Sequence, residues 1–216
     1  MEEKKIDWAA IPDTAFDLDK LPTQKIKYKT YLLGAPKVVK ARVPSLKPNT
    51  SRGVLEAGPN MNLPGIARCF LEDSDGQFWI GTEKGLCKYD GENIEIYGSA
   101  QGLLGESIYS LMDDNQGRIW IGTIFSGLFV MDRKAGLISE VTDSFPHTSQ
   151  TIGLTKDKSG NIWVNRINNG VSIIDPTHES IRSLTKKEGL LGNVTVRSMH
   201  DRDGLIWITT QNGVNV

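Results

Sequence analysis

The chain has 216 residues, 38% apolar and 24% charged, with a formal net charge of −1, as in an ordinary globular domain or a piece of a larger repeat array. That balance carries no nucleic-acid or acidic-membrane footprint, and no stretch approaches the roughly 18 apolar residues of a membrane-spanning helix. Two cysteines make no disulfide framework, and the three histidines, His147, His178 and His200, are scattered, so neither a metal nor another cofactor is expected.

From the N-terminus, residues 1–52 read as an irregular leader, Pro-interrupted and mildly basic, with ten Lys/Arg against six Asp/Glu in the first 50 positions. It contains two predicted short strands, Tyr28–Leu33 and Lys37–Val43, and is expected to lie extended against the first or last of the repeated units downstream. The start, Met1–Trp8, lacks the apolar core of a secretory signal. The protein is therefore cytoplasmic, or any targeting segment lies outside this sequence.

From residue 53 the chain repeats itself. Trp79, Trp120, Trp163 and Trp207 recur at intervals of 41, 43 and 44 residues, each inside Asp-x-x-Gly-x-(Ile/Phe)-Trp-(Ile/Val). The glycines of that motif are Gly76, Gly117, Gly160 and Gly204. Asp-x-x-Gly is turn chemistry: the Asp side chain bonds the backbone ahead of it, and Gly supplies positive φ. An alternating run precedes each Asp, at Ile66–Leu71, Ile108–Met112, Thr151–Thr155 and Val194–Met199. A strand containing the Trp comes after the turn. A third strand comes after the second glycine, as in Leu128–Met131 and Val171–Ile174, and a weaker fourth at Ile94–Tyr97, Leu137–Val141 and Ile181–Leu184.

Four strands per repeat with loops too short for a crossover helix predict antiparallel meanders, which at this period are the blades of an all-β propeller. The repeats run over about 53–97, 98–142, 143–185 and 186–216, the last incomplete. One Trp at the same site of each blade is placed to fill the gap between blades, worth roughly several kcal/mol each. Val54–Glu56 matches the text of a fourth strand and reads as an orphan outer strand. It either completes the fourth blade of a small ring or belongs to a ring of which this is a part; the unfinished last blade favours the second.

These residues resemble the two-component-regulator propeller repeat, most clearly over Ile108–Thr123 and at the linkers Gly102-Leu-Leu-Gly105 and Gly189-Leu-Leu-Gly192. The resemblance covers about residues 53–216. It implies a ring of about seven blades, and a sensor portion of a bacterial hybrid two-component or histidine-kinase signalling protein. It also implies a periplasmic or extracytoplasmic location, a link to carbohydrate use and no catalytic residues. Departures are Asn165-Arg166 and Thr209-Thr210, where the first two repeats have Gly-Thr, and the linker Ser144–Ser149.

Sharper alternatives fail on register. A calcium loop opening at Asp73 or Asp201 needs a Glu at its twelfth position, where the chain has Lys84 or Asn212. A sialidase-type Asp-box sets its Asp two residues before the Gly; here the spacing is three in every repeat. Cys69 and Cys87 fall on the first and third strands of one blade, about 9–10 Å apart, too far for a disulfide.

Specificity is expected on the face where second-to-third-strand loops and inter-blade linkers converge. Its candidates are Glu83, Lys84, Ile124, Phe125, Arg166, Asn168, Gln211 and Asn212, with Phe125 the best placed to stack on a sugar ring or a partner chain. The expected role is ligand or partner sensing without catalysis. The alternatives are a protein-interaction scaffold and, further off, a propeller lyase or glycosidase. Expected partners are the remaining blades or an output domain of the parent protein, and a carbohydrate or protein ligand, with no nucleic acid and no membrane contact.

Overall fold

The computed structural model describes residues 17–41, 47–49, 54–56, 62–104, 107–142, 150–175 and 177–216. Met1–Trp8, the end of the predicted Lys37–Val43 strand, His147 and the linker Ser144–Ser149 lie outside these residues. The described chain is almost entirely β, with helix confined to the 3-10 turns Leu18–Lys20 and Ser99–Gln101.

In chain order the leader holds β1 (Thr23–Lys25), β2 (Lys27–Leu32), β3 (Lys37–Lys40) and β4 (Lys47–Asn49), and β5 (Val54–Glu56) comes next. Blade 1 is β6 (Ala67–Glu72), β7 (Phe78–Thr82), β8 (Gly85–Tyr89) and β9 (Asn93–Tyr97). Blade 2 is β10 (Ile108–Asp113), β11 (Arg118–Thr123), β12 (Leu128–Asp132) and β13 (Leu137–Thr142). Blade 3 is β14 (Thr151–Lys156), β15 (Ile162–Arg166), β16 (Gly170–Ile174) and β17 (Ser180–Leu184). Blade 4 has β18 (Thr195–His200), β19 (Ile206–Thr210) and β20 (Gly213–Asn215). Every pairing within a blade is antiparallel, so the four predicted repeats are propeller blades.

The Asp of the repeat does more than turn the chain. Asp73 accepts the amides of Asp75 at 3.0 Å and Gln77 at 2.9 Å with one oxygen, and the indole N–H of Trp79 at 2.6 Å with the other. Asp157 and Asp201 hold Trp163 and Trp207 in the same way, at 2.8 and 2.7 Å. One carboxylate thus fixes both the hairpin and the tryptophan six residues on, which explains the constant spacing. In blade 2 the bond is long, 3.5 Å to Trp120, and Asp114 also takes the Arg118 guanidinium at 2.6 Å.

The tryptophans lie between blades. Trp79 packs with Ile108, Ile119, Ile121 and Phe129 of blade 2, and Trp120 with Ile162, Val164 and Ile174 of blade 3. Trp163 packs with Ile208 of blade 4. Close approach dictates two glycines: a Cβ on Gly81 would strike Cys69 and Ile108, and one on Gly122 would strike Ser110 and Thr151. Blade 3 reverses the arrangement, with Asn165 at the site of those glycines and Gly153 across the ladder making room for it. Cys69 and Cys87 sit on the first and third strands of blade 1 as free thiols, and burial pushes them up to about 11 and about 12.

The leader corrects the expectation of an irregular segment lying on one terminal blade. Where described, it is a strap running against chain order around the rim. β1 pairs with β17 of blade 3, β2 with β13 of blade 2 and β3 with β9 of blade 1, each antiparallel, so three blades have a fifth strand. The strap also plugs each gap from outside. Leu21 joins the core between blades 3 and 4, Ile26 that between 2 and 3, and Tyr31 with Leu33 that between 1 and 2. The Val54–Glu56 strand pairs with β4, not with the three strands of blade 4.

Candidate functional site

In each blade the loop between second and third strands is tied back to the residue just before the first strand. The amides of Glu83, Ile124, Ile167 and Gln211 donate to the carbonyls of Ile66, Ser107, Gln150 and Val194 at 3.0–3.1 Å. A threonine closes the loop from within: Thr82, Thr123 and Thr210 each donate to a glycine carbonyl, at 2.8, 3.0 and 3.0 Å. These four tethered loops define one face of the array.

At the same end, every first strand is bulged. The register slips between Ala67 and Cys69, Ile108 and Ser110, Thr151 and Gly153, and Thr195 and Ser198. A bulge leaves a residue outside the ladder and re-aims its side chain. The residues so released include Arg68 and Tyr109. Arg68 forms an ion pair with Glu83 and lies 5.3 Å over the Tyr109 ring centroid, linking blades 1 and 2 by charge and cation–π contact. Phe125, 65% exposed, stands on the loop of blade 2 beside half-buried Ile124, while Lys84 is exposed.

The other predicted site residues divide. Gln211 accepts the Val194 amide at 2.8 Å and Asn212 donates to the Leu191 carbonyl at 2.8 Å, so both brace the linker into blade 4. Asn168 is exposed in the left-handed region at φ 68°. Arg166 is buried rather than displayed: its guanidinium donates to the Asn169 carbonyl at 3.3 Å, and burial lowers its pKa to about 10. It occupies the place of the loop-closing threonine, and blade 4 makes good the loss. The Thr195 hydroxyl donates to the Gly170 carbonyl at 2.7 Å and accepts the Arg166 amide at 3.1 Å.

Sequence reasoning missed Arg68 and Tyr109. Their signal was a shared position one residue into each first strand, but only the bulge, a matter of register, brings them together as candidates.

A second concavity of about 280 Å³ lies at the rim between blades 2 and 3, under the strap, with Tyr28, Arg118, Trp120, Asp132, Ser139 and His178 in its walls. Tyr28 donates to the His178 carbonyl at 2.9 Å, and burial pushes its hydroxyl up to about 12. The His178 ring meets Trp120 edge-on at 5.1 Å. Burial first, and the Arg118 charge second, hold that imidazole below its usual value. Among the described residues no group of three or more His, Cys, Asp or Glu is placed to hold a metal ion, and no helix is long and apolar enough to cross a membrane.

Known proteins share this architecture. The sequence model of the two component regulator propeller matches residues 63–84 and 102–125. No curated protein sequence matches the chain. Among solved structures, the extracellular domain of a putative one component system from B. thetaiotaomicron is 22% identical with a TM-score of 0.62. The extracellular domain of a putative hybrid two component system from that organism is 24% identical with a TM-score of 0.60. Both alignments cover 76% of this chain but 23% of the other, so the chain spans about a quarter of their length. Virginiamycin B lyase from Staphylococcus aureus shares the fold at 14% identity and a TM-score of 0.53, over 88% of this chain and 59% of that one. The chain is a β-propeller of repeated blades, two stretches of which match the two component regulator propeller repeat.

Proposed function

We propose that the chain is the recognition part of a bacterial signalling protein, exposed outside the cytoplasmic membrane. It senses a ligand or partner on its loop face without catalysing a reaction. The observation that carries this is the chain Glu83–Arg68–Tyr109, on the same loop face as exposed Phe125, at the point where an otherwise regular scaffold varies. A rigid frame with charged and aromatic groups on tethered loops suits reversible binding: cation–π and stacking surfaces recognise a ring face, and the ion pair orients polar groups. The extracellular domains of one component and hybrid two component systems that share the fold support the compartment and the signalling context.

Calorimetric titration with a panel of neutral and acidic oligosaccharides tests the proposal. At least one is expected to bind, with affinity falling about tenfold or more in Tyr109→Ala and Phe125→Ala, a loss of about 1.4 kcal/mol or more. Binding that survives both substitutions places recognition elsewhere. The scaffold alternative draws on the same exposed Phe125 and predicts capture of a protein partner with no oligosaccharide bound.

A further inference from the structure

The rim concavity between blades 2 and 3 lies where two positions that the other gaps fill carry short side chains. In each blade the cross-strand partner of the tryptophan, and that partner's own neighbour on the outer strand, face the next blade. In blade 1 these are Lys88 and Glu95, ion-paired at 3.1 Å. In blade 3 they are Ile173 and Arg182, the arginine reaching Asp19 of the leader at 3.6 Å. In blade 2 they are Val130 and Ser139. The space of about 280 Å³ beside them is near the lower end of small-molecule pockets, roughly 300 Å³.

The polar groups of its wall have bonds to spare. Arg118 and Asp132 are cross-strand partners of opposite charge, yet no ion pair joins them among the described residues. Arg118 gives Nε to Asp114 at 2.6 Å and Nη2 to Gln116 at 2.5 Å, which leaves Nη1 open. Asp132 accepts the Ala135 amide at 2.8 Å with Oδ1 and leaves Oδ2 open. Its counterparts Asp90 and Asp175 use both carboxylate oxygens on their own turns. His178, 6% exposed, has no partner for Nδ1. It is also held at a left-handed φ of 61°, a strain of the kind that gathers at ligand sites. Val130 and Leu137 add an apolar strip to the same wall.

We propose that this concavity binds a small zwitterion, an α-amino acid with an apolar side chain. The ligand carboxylate meets the open nitrogen of Arg118, which Asp114 keeps aimed, and the ammonium meets the open oxygen of Asp132. The ligand side chain lies on Val130 and Leu137. A molecule of the same shape with only one of the two charges leaves a protein charge desolvated and unmatched, so it binds more weakly. Tyr28 of the strap and His178 of blade 3 wall the opposite side, so the ligand touches the strap and two blades at once. The site is separate from the loop face and does not depend on the sensor reading.

Calorimetric titration with L-leucine, L-valine and L-phenylalanine tests this, each beside the amine that lacks its carboxylate and the acid that lacks its ammonium. At least one amino acid is expected to bind about tenfold or more tightly than both of its analogues. Asp132→Asn, which can keep the bond to the Ala135 amide, is expected to weaken that binding about tenfold or more. Val130→Lys combined with Ser139→Glu installs here the ion pair that fills the neighbouring gap, and is expected to abolish binding. Phe125→Ala, on the loop face, is expected to leave it unchanged. No binding of any of the three at millimolar concentration overturns the proposal, as does an amine or acid that binds as well as its amino acid. Binding that survives both Asp132→Asn and the filled pocket, or that is lost in Phe125→Ala, also overturns it.

Discussion

The gap between blades 2 and 3 and the free face of blade 4 are built from the same repeat positions and have opposite fates. Met112, Trp120 and Leu128 of blade 2 are buried against blade 3. Their counterparts on blade 4 are Met199, 58% exposed, half-buried Trp207, and Val214, 51% exposed. The indole–carboxylate bond is present in both, at 3.5 and 2.7 Å, so the hairpin forms without the neighbour. The repeat therefore encodes the blade, and the adjoining blade supplies most of its burial. That is nearest-neighbour energetics in a quasi-one-dimensional array.

Truncating the tryptophan breaks the comparison most directly. Trp120→Ala is expected to cost about 3–5 kcal/mol in urea unfolding, the range for a large aromatic removed from a core. Trp207→Ala, with no blade upon it, is expected to cost less than half as much. Equal costs would mean that the indole acts within its own blade.

The strap gives the next largest effect. Ile26 is its plug in the closed gap, and Ile26→Ala is expected to cost about 2–4 kcal/mol, again read from urea unfolding. The matching change at Val38, 59% exposed on β3, is expected to stay within about 0.5 kcal/mol.

The smallest effect is a pH dependence confined to the closed gap. His178 titrates below its unfolded value of about 6.5. Asp114 and Asp175 oppose that shift, but burial and Arg118 outweigh them. Folding thus favours the neutral ring. This contribution is full above the unfolded value and is lost as pH falls through the native one. Urea midpoints measured from about pH 7.5 down to pH 5 are expected to fall more steeply for the parent than for His178→Asn, a residue that accepts the φ of 61° at this position. Parallel slopes would place the titrating group elsewhere.

The sequence made the blades legible because each strand has one face in a gap and the repeat is short: the Asp, Gly and Trp positions each answer to a local bond. The strap was hidden for a physical reason. Most of β2 and β3 is exposed, so hydrophobic alternation is weak, and their partners lie far along the chain, as with Tyr28 opposite Val141. Its Lys-rich character suits an unpaired sheet edge and says nothing of which edge it covers. The loop-face candidates were legible as positions and not as environments. Arg166 is buried because Thr195 of the next blade took over the duty of a threonine, and that exchange shows only in three dimensions.

The direction of the strap has a mechanical consequence. A pull on the N-terminal end of the strap meets β1 on blade 3 first, then β2 on blade 2, then β3 on blade 1. Load passes along the strap in the reverse of blade order, and each short ladder with its plug, Leu21, Ile26 and then Tyr31, must yield before the next is strained. An anchor at that end would feel the propeller as a row of latches released one at a time.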